Sequence, residues 1–477
     1  MIIDRPALAR ELTAIVGETN VLSSDYDIMT YSYDAGVDPG FGDAVVFPTT
    51  PEQVAAIMRL AARTGTPIVP RGAGTGLSGG TVADQGGIVV STAKMNSIIE
   101  LDLENRCAVV EPGLVNLHLS EAVADDELFF APDPSSQKSS TIGGNVAENA
   151  GGPHTLLYGV TTNHVLGVQV ALPSGDLVWF GGKGADCPGF DVRGLMVGSE
   201  GTLGIVTKVI VRLLPRPESV RTFLAMFNTV DDATTTISAI IARGVLPAAL
   251  EMMDNMAIRA IEQTWHCGYP EDAGAVLLIE LEGLREGVDE PTEIIMAICR
   301  ENGSRDVRVA RTETERKLLW AGRKGAAGAL GRLAPNFYVM DGVVPRTKLP
   351  EVLRAVYAAG ERYNLLVVNL FHAGDGNLHP NFLFDSDRPG DLEKVKQAGA
   401  EILQVCLDVG GSLSGEHGIG VEKRDLIDRM FSPADLDLMR AVKASFDPHK
   451  LCNPGKIFPT PGRCVELQGR PLAEMTW

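Results

Sequence analysis

Apolar side chains in the first half of the chain alternate between short β-rich runs and stripes at helical spacing. From Val54 to Ala61 the apolar positions recur at that spacing, which predicts an amphipathic helix. Thr50 is a suitable N-cap for this helix, Gln53 completes a capping box, and Gly65 ends it. The flanking runs "AVVFP" and "TPIVP" are typical of buried strands.

Further strands are predicted in "GIVVST", "CAVVEPG" and "GTLGIVTKVIVRLLPRP", and a hairpin in "VLGVQVALPSGDLVWFGG". Beyond residue 217 the pattern is that of an α+β domain, with helices at about 231–243 and 288–301 around the strand "AVLLIELEG". The segment "TETERKLLWAGRKGAAGALGR" predicts one helix, and "PEVLRAVYAAGERYNLLVVNLF" predicts a helix leading into a strand. A last helix precedes a turn-rich tail.

Composition and charge exclude several classes of function. The chain has 477 residues, enough for two or three domains, and the proportions of a soluble globular protein. Its net charge of −19 argues against binding to nucleic acid or to an anionic membrane, because both need a basic face. The seven cysteines form no C-x-x-C motif, so no iron–sulfur cluster or cysteine zinc site is indicated. We expect a cytoplasmic protein, since no signal peptide or membrane-length apolar run is found.

The stretch "PRGAGTGLSGG", residues 70–80, fits the G-x-G-x-x-G pattern of a dinucleotide-binding turn. That fingerprint needs a helix directly after the glycines, but "TVADQGGIVVST" follows and predicts a second strand. A loop between two strands is therefore expected, and a Rossmann site for NAD is not. Glycine-rich backbone can approach phosphate oxygens closely, which favours a phosphate-bearing cofactor over the alternative of a tight turn alone.

Two more glycine-rich stretches lie in the same half of the chain. "SSQKSSTIGGNVAENAGG", residues 135–152, combines small residues and hydroxyls with a short helix-like segment, and offers N–H and O–H donors. "MVGSEGTLGIV" places glycines on both sides of Glu200. Three such stretches at strand ends are difficult to explain as turns only.

Two histidines enclose a turn in "LFHAGDGNLHPNFLF". If the segment is a β-hairpin, His372 and His379 face each other with Cβ atoms about 5 Å apart. That separation suits two imidazoles on one metal ion, whereas ordinary hydrogen bonding is the alternative for each histidine alone.

Glu416 and His417 are adjacent and flanked by glycines in "GGSLSGEHGIGVEKR". Neighbouring side chains in extended backbone point to opposite sides, so we expect different roles for the two. One could complete a site of two histidines and one carboxylate, and the other could act as a base. The alternative is a glycine-rich turn with a solvated Glu-His pair.

The glycine-rich stretches, together with "FHAGDGNLHP", "SGEHGIG", "FDPHKLCNPGK", "WAGRKGAAGALGR" and "FYVMDGVVPR", resemble a known family over residues 20–465. It is the FAD-linked D-2-hydroxyacid dehydrogenase branch of the vanillyl-alcohol oxidase/p-cresol methylhydroxylase superfamily, and the flavin subunits that oxidise glycolate are the most similar members. The resemblance implies an α+β fold with an FAD-binding domain of two α/β subdomains at 1–217. It also implies a cap with an antiparallel sheet at 218–420 and a C-terminal segment, 421–477, that returns to the FAD domain.

The resemblance implies an FAD site in which residues 70–80 follow the pyrophosphate while 134–152 and 198–205 flank the isoalloxazine and adenine. Some members attach FAD covalently through a His in the first of these stretches or a Cys in the second. Neither residue is present, so we expect dissociable FAD. The implied contact residues are Pro70, Arg71, Gly72, Ala73, Gly74, Thr75, Gly76, Leu77, Ser78, Pro134, Thr141, Gly143, Gly144, Asn145, Asn149, Gly151, Gly152, Glu200, Gly201, Gly204, Ile205 and Asn453.

On the substrate side the resemblance implies a divalent metal, zinc or else manganese or iron, bound by three side chains. These ligands are His372, His379 and Glu416, and the implied catalytic residues are His417 as base, Arg323 for the substrate carboxylate, and Asn381. Where relatives that oxidise hydroxyglutarate have a hydroxyl residue and a Lys, this chain has Ala327 and Val339. That departure favours a monocarboxylate, glycolate or D-lactate, although Asn381 is more typical of hydroxyglutarate and lactate enzymes.

Three alternatives remain at the level of sequence. They are a D-2-hydroxyglutarate dehydrogenase, a non-catalytic flavin subunit for electron transfer, and a flavin-free metallohydrolase. Because the chain lacks cluster ligands, the resemblance also allows partner subunits, among them an iron–sulfur subunit. Through such partners the protein would lie at the inner membrane peripherally, without a span of its own.

Overall fold

The first sheet shows how the glycine-rich loop is presented. The computed structural model describes residues 4–184 and 188–459, so Cys187 and Cys464 lie outside the described residues. The sheet has the strand order β1-β2-β4-β3, and β3 pairs with β4 in parallel through a loop without a helix. The absence of a Rossmann crossover is thereby confirmed. Its strands are β1 (Val21–Leu22), β2 (Ala44–Val46), β3 (Ile68–Arg71) and β4 (Ile88–Ser91).

Where the structure describes this half of the chain, it has seven helices, and the third was predicted from its apolar stripe. Thr50 accepts the N–H of Gln53 and Gly65 ends the helix in the left-handed region, as expected. The capping box is not reciprocal, because the Gln53 side chain accepts the N–H of Thr49 instead of that of Thr50. The helices are α1 (Arg5–Val16), α2 (Asp25–Met29), α3 (Pro51–Thr64), α4 (Asn116–Ala122), α5 (Ile142–Glu148), α6 (Thr155–Tyr158) and α7 (Val192–Met196).

The second sheet is antiparallel, with the order β5-β6-β10-β8-β9, and it contains the predicted hairpin as β8 and β9. Alternate residues of its central strands pack against α4, α5 and α7, which covers one face with apolar side chains. Strands β7 and β11 form a separate pair. The bounds are β5 (Ile98–Asp102), β6 (Cys107–Val110), β7 (Leu128–Phe129), β8 (Val165–Ala171), β9 (Leu177–Gly181), β10 (Ile205–Arg212) and β11 (Leu214–Pro215).

The third sheet belongs to the cap and is antiparallel in every described pairing. Its main path runs β15-β12-β14-β13-β18-β19-β17, and β20 joins β16 to β18. The strands are β12 (Ser219–Phe227), β13 (Ala249–Asp254), β14 (Ala275–Gly283), β15 (Ser304–Val309), β16 (Asn336–Val339), β17 (Gly342–Val343), β18 (Leu366–His372), β19 (Asn377–Leu378) and β20 (Pro380–Phe384).

Helices cover both faces of the cap sheet. Helices α8, α10, α13 and α14 pack on one face, and α9, α11 and α12 pack on the other. The predicted single helix over residues 312–332 is wrong, since the chain leaves the helix at Gly325, whose backbone packs against the Trp265 ring. The bounds are α8 (Val230–Ala242), α9 (Asn255–Trp265), α10 (Asp289–Glu301), α11 (Glu313–Lys324), α12 (Ala326–Leu330), α13 (Leu349–Tyr363) and α14 (Asp391–Asp408).

The C-terminal segment contacts the first sheet again after α15 (Ile427–Met430) and α16 (Pro433–Phe446). Ile68 donates its N–H to the carbonyl of Leu451 and accepts that of Asn453, so this segment extends the edge beside β3. The predicted α+β class, with an antiparallel cap sheet, is confirmed. Within the described ranges, none of the helices has the length and hydropathy needed to cross a bilayer.

Candidate active site

A cavity of about 370 Å³ lies between the first two sheets and the cap. Its size is in the usual range for small-molecule sites. The wall includes most residues of the predicted FAD site, namely Pro70, Arg71, Gly72, Ala73, Gly74, Thr75, Gly76, Leu77, Pro134, Thr141, Gly143, Gly144, Asn145, Glu200, Gly201, Gly204 and Ile205. It also includes every predicted residue of the substrate side, namely Arg323, His372, His379, Asn381, Glu416 and His417.

Five residues predicted to contact FAD do not line this cavity and support its wall from behind, namely Ser78, Asn149, Gly151, Gly152 and Asn453. The carbonyl of Ser78 accepts the N–H groups of Val421 and Glu422, which joins the glycine loop to the C-terminal segment. The Asn453 amide donates to the carbonyls of Gly80 and Glu200, at 2.8 and 2.7 Å, and so connects two of the glycine-rich stretches.

The other three of these residues shape the end of α5. Asn149 ends the helix with a φ of 58°, and its side chain accepts the N–H of Thr162. Gly152 has a φ of +136°, and a Cβ there would lie 2.5 Å from the carbonyl oxygen of Asp133. A Cβ on Gly151 would lie 2.9 Å from a Glu416 carboxylate oxygen. Side chains at either glycine would therefore displace groups next to the site.

The glycine loop has the geometry that a bulky anionic ligand requires. Gly74 has a φ of +72°, and a Cβ there would collide with the Arg71 guanidinium. A Cβ on Gly76 would meet nothing within 4 Å, so this backbone faces the open cavity. The buried Arg71 donates to the carbonyl of Tyr33 and to the Thr81 hydroxyl, and thereby places a fixed positive charge beside the loop.

On the FAD-binding side of the wall, three polar groups have no hydrogen-bond partner among the described residues, which also points to a ligand. They are the Ser140 hydroxyl, the Asn145 amide nitrogen and one carboxyl oxygen of Glu148. Leaving such a group unpaired costs about 1–3 kcal/mol. FAD has phosphate oxygens and a polar ring edge that would accept from the Ser140 hydroxyl and the Asn145 amide, so the residues present fit this cofactor.

The two histidines of the metal prediction lie on one face of the cap sheet, but not opposite each other. His372 pairs with Asn377, and His379 stands two residues further along, so the histidines are diagonal neighbours. The predicted facing pair is therefore wrong, because the turn is tighter than expected and the carbonyl of Gly376 accepts the N–H of Val344. The two imidazole rings are nevertheless close, with their centroids 5.0 Å apart.

Hydrogen bonds fix which ring nitrogen of each histidine is free. Nδ1 of His379 lies 3.0 Å from the carbonyl oxygen of Met340, and Nδ1 of His372 lies 2.8 Å from Glu251. Both partners can only accept, so both Nδ1 atoms carry the proton in the neutral tautomers. Both Nε2 atoms then converge on Oε1 of Glu416, at 3.2 Å from His372 and 3.1 Å from His379.

This convergence brings lone pairs together and needs a positive charge between them. An Nε2 lone pair and a carboxylate oxygen repel each other unless a proton or a cation lies between them. The negative charge at this point is also seen in His372, whose pKa is raised because Glu251 and Glu416 outweigh the effect of burial. Two imidazoles and one carboxylate, with both far nitrogens anchored, are also a typical donor set for a divalent metal, and the residues fit such an ion.

Glu251 is an important residue of the site that the sequence reasoning missed. It is fully buried on β13, directly across the sheet from His372. One oxygen accepts from His372 and the other lies 2.6 Å from Nη2 of Arg323. Burial is opposed by these two cations, which together lower the pKa of Glu251. The available signal was an acidic residue inside the apolar run "ALEMMD".

Asp341 orients the loop that carries Glu416 and His417. Its fully buried carboxylate accepts the backbone N–H groups of Gly415, Glu416 and His417, and Lys423 lies 3.0 Å away. These contacts hold the two adjacent side chains in the cavity wall. Sequence reasoning did not single out this aspartate either.

His417 stacks on His379 instead of joining the convergent donors. The ring centroids are 4.9 Å apart at an interplanar angle of 5°, and Nδ1 of His417 is buried without a partner among the described residues. Burial lowers the pKa of His417 to about 4, so the imidazole is neutral at neutral pH. A neutral, unengaged imidazole beside a cavity is able to accept a proton.

The remaining wall on the cap side is mostly apolar. Asn381 donates to the carbonyl of His379 at 2.7 Å, which fixes the strand next to the convergent His372, His379 and Glu416 side chains. Arg323 is 4% exposed and its Nε has no partner among the described residues. Around them lie Ala327, Leu330, Phe337, Val339 and Leu370.

Comparison with known proteins shows the family. Residues 42–181 match the FAD binding domain, and residues 216–457 match the C-terminal domain of FAD linked oxidases. The chain is 45% identical over 466 residues to glycolate oxidase subunit GlcD of Escherichia coli strain K12, covering 98% of this chain and 93% of that protein. It is 42% identical to glycolate oxidase subunit GlcD of Bacillus subtilis, covering 94% and 96%.

D-lactate dehydrogenase of Anaerostipes hadrus is 33% identical over 428 residues, covering 87% of this chain and 89% of that protein. Among solved structures, substrate-bound p-cresol methylhydroxylase superposes with a TM-score of 0.81 at 18% identity, covering 96% of this chain and 98% of that one. Identity at that level supports the fold alone. The matched domains and the relatives together establish that the chain belongs to the FAD-linked oxidases and is an oxidoreductase.

Proposed function

We propose that this enzyme oxidises a small 2-hydroxy monocarboxylate, glycolate or D-lactate, to the 2-oxo acid with non-covalent FAD and a divalent metal. The metal would be zinc, or else manganese or iron. The names of the relatives support the reaction. The observation that carries the proposal is the convergence of His372, His379 and Glu416 beside a neutral His417, in the same cavity as the glycine loop.

Each group of the site has a distinct role in this proposal. Arg323 binds the substrate carboxylate, because a guanidinium offers a planar pair of donors and its Nε is unpaired in the described structure. Nε2 of His372, Nε2 of His379 and the Glu416 carboxylate hold the metal, which supplies polarisation of the substrate hydroxyl when bound. FAD, when bound, supplies the hydride acceptor.

His417 accepts the hydroxyl proton in this proposal. Its imidazole is neutral at neutral pH and is oriented by stacking on His379 and by the Asp341 contact to its backbone N–H. Asn381 is a positioning residue, since its amide donates to the carbonyl of His379 and keeps that ligand in place. Glu251 has a similar effect on His372 and Arg323 at once.

The size of the substrate follows from the wall around Arg323. Five apolar side chains line the cap side of the cavity, and a second carboxylate would be desolvated against them without a partner among them. This arrangement supports a monocarboxylate over 2-hydroxyglutarate. It also agrees with the sequence, in which Ala327 and Val339 replace the hydroxyl residue and the Lys expected in enzymes that oxidise hydroxyglutarate.

An assay with a panel of hydroxy acids tests the proposal. Purified protein reconstituted with FAD and Zn²⁺, or with Mn²⁺, would be given glycolate, D-lactate, L-lactate and D-2-hydroxyglutarate with an artificial dye acceptor. We expect glycolate or D-lactate to give the highest kcat/KM, with activity lost on chelation and restored by metal. Equal kcat/KM for 2-hydroxyglutarate, or activity unaffected by complete metal removal, would contradict the proposal.

We also propose that a partner subunit, such as an iron–sulfur protein, accepts the electrons. Two relatives are named as subunits of glycolate oxidase, which supports an assembly. The cysteines in the described residues are free and buried. The expected location, in the cytoplasm or peripherally at the inner membrane through such partners, stays a prediction.

A further inference from the structure

A second cation lies beside the one proposed for the substrate carboxylate. Lys324 follows Arg323 at the end of α11, and both residues line the cavity. Among the described residues of this wall, the arginine and lysine side chains are Arg71, Arg323 and Lys324. Arg71 lies at the glycine loop, and Arg323 is needed for the first carboxylate. A substrate with a second carboxylate would therefore depend on Lys324.

Lys324 is not free to bind that carboxylate, because Asp133 holds it. Its Nζ lies 2.9 Å from Oδ2 of Asp133, and 5.8 Å from the centroid of the Trp320 ring. Both side chains of the pair are largely shielded from water, at 27% exposure for Lys324 and 13% for Asp133. An ion pair in such a place is screened less by solvent than a surface pair.

Asp133 is itself held in position from the FAD-binding side. The same oxygen lies 2.9 Å from Nδ1 of His154, and the other accepts the His154 backbone N–H at 3.3 Å. Asp133 does not itself line the cavity, but the next residue, Pro134, and its partner Lys324 both do, so the carboxylate lies next to the wall. A second substrate carboxylate near Lys324 would meet the negative charge of Asp133 and would have to displace it.

We propose that Asp133 is a specificity-determining residue, which excludes 2-hydroxy dicarboxylates by holding the Lys324 ammonium away from the substrate. The inference rests on the proposed function and deepens it, since it names the element that selects monocarboxylates. It assigns no part in the chemical step to Asp133. The apolar residues of the cap side disfavour a second substrate carboxylate because they offer it no hydrogen-bond partner. Asp133 disfavours it in a different way, since it holds the Lys324 ammonium that would otherwise serve as a partner.

Substitution of Asp133 by Asn tests this role, because the amide is isosteric but releases the ammonium. We expect Asp133→Asn to raise kcat/KM for D-2-hydroxyglutarate relative to D-lactate by about tenfold or more, the usual scale for one hydrogen bond between charged groups. Asp133→Asn combined with Lys324→Met should lose this gain. His154→Gln, which removes the other partner of Asp133 but leaves Lys324 held, should keep the wild-type ratio.

A binding measurement separates this inference from the proposed function. Titration of the flavin absorbance with 2-oxoglutarate should show a lower Kd for Asp133→Asn than for wild type, whether or not either turns over. If wild type oxidises neither glycolate nor D-lactate, the proposed function fails while this titration still tests Asp133. Asp133→Ser serves as a second variant if Asn impairs folding. An unchanged selectivity ratio and an unchanged Kd in a folded, flavin-containing variant would overturn the inference.

Discussion

At the scale of single residues, Glu251 connects the proposed metal site with the proposed binding site for the substrate carboxylate. One of its oxygens accepts from the proposed metal ligand His372, and the other pairs with the proposed carboxylate ligand Arg323. Because the carboxylate is fully buried, no water competes for either contact. Its charge keeps Nδ1 of His372 protonated, which directs the other ring nitrogen to the convergent site.

Substitution Glu251→Gln should therefore affect metal binding and substrate binding together. We expect the metal affinity to fall by about 10–100-fold, the usual effect of losing the partner of a metal-bound histidine. The KM for the hydroxy acid should change as well, because Arg323 loses its anchor. Metal content after dialysis against a graded chelator measures the first effect, with the exposed Glu293→Gln as matched control. Unchanged metal retention would contradict the role of Glu251.

At the scale of elements, the contact between α11 and the FAD-binding half depends on a network of charges around His154. Nε2 of His154 lies 3.2 Å from Glu280 of the cap, which also accepts from Arg316 and Trp320 of α11. The imidazole faces Asp133 and Glu280 and lies 4.0 Å from Glu282, with the cations Lys324 and Arg316 on the far sides of these carboxylates. Burial alone would lower the pKa of His154, but Asp133 and Glu280 raise it to about 10.

The stability provided by this histidine should depend on pH. Its pKa is raised in the folded state above the ordinary value of 6.5, so the contribution is complete below pH 6.5. It is lost as the pH rises towards 10. The difference in free energy of unfolding between wild type and His154→Gln, measured in urea at pH 6, 8 and 10, should therefore decrease in that order. A difference that grows with pH, or that is absent at pH 6, would contradict a charged His154.

The elements also show which features of the structure could be predicted from the sequence and which could not. The predictions for α3 and for the hairpin of β8 and β9 rested on local periodicity and turn residues, and both were confirmed. Gly325 interrupts a helix-like pattern because of its packing against Trp265, which is a tertiary cause. Glu251 and Asp341 act through partners far away in the sequence. The acidic residue inside the apolar run "ALEMMD" was a local sign of Glu251, but it did not indicate those partners.

At the scale of the whole molecule, we propose that the chain is divided as 1–217, 218–420 and 421–477. All cap-sheet strands lie between Ser219 and Phe384, which supports the first boundary. The backbone contacts of Ile68 with Leu451 and Asn453 support the return of the last segment. The proposed catalytic groups come from the second segment and the proposed FAD-binding loops mostly from the first, so the proposed reaction would take place where the two segments meet.

Non-covalent attachment of FAD is a further expectation for the whole molecule. The sequence offers no His in 70–80 and no Cys in 134–152. Acid or heat precipitation should therefore release all of the flavin into the supernatant, where its absorbance and fluorescence can be measured. Flavin that remains with the denatured pellet after washing would show a covalent bond and contradict the expectation.

The central claim is that the proposed metal ligands and the proposed base are separate groups. Rapid-mixing kinetics of flavin reduction tests this claim most directly. His417→Asn should retain its metal and its flavin, because His417 is not among the convergent donors. Anaerobic reduction of its flavin by the preferred hydroxy acid should be slower than in wild type by about a hundredfold or more, the usual scale for removing a general base. His372→Ala, by comparison, should lose both metal and reduction. A His417→Asn variant that reduces its flavin at the wild-type rate would contradict the account.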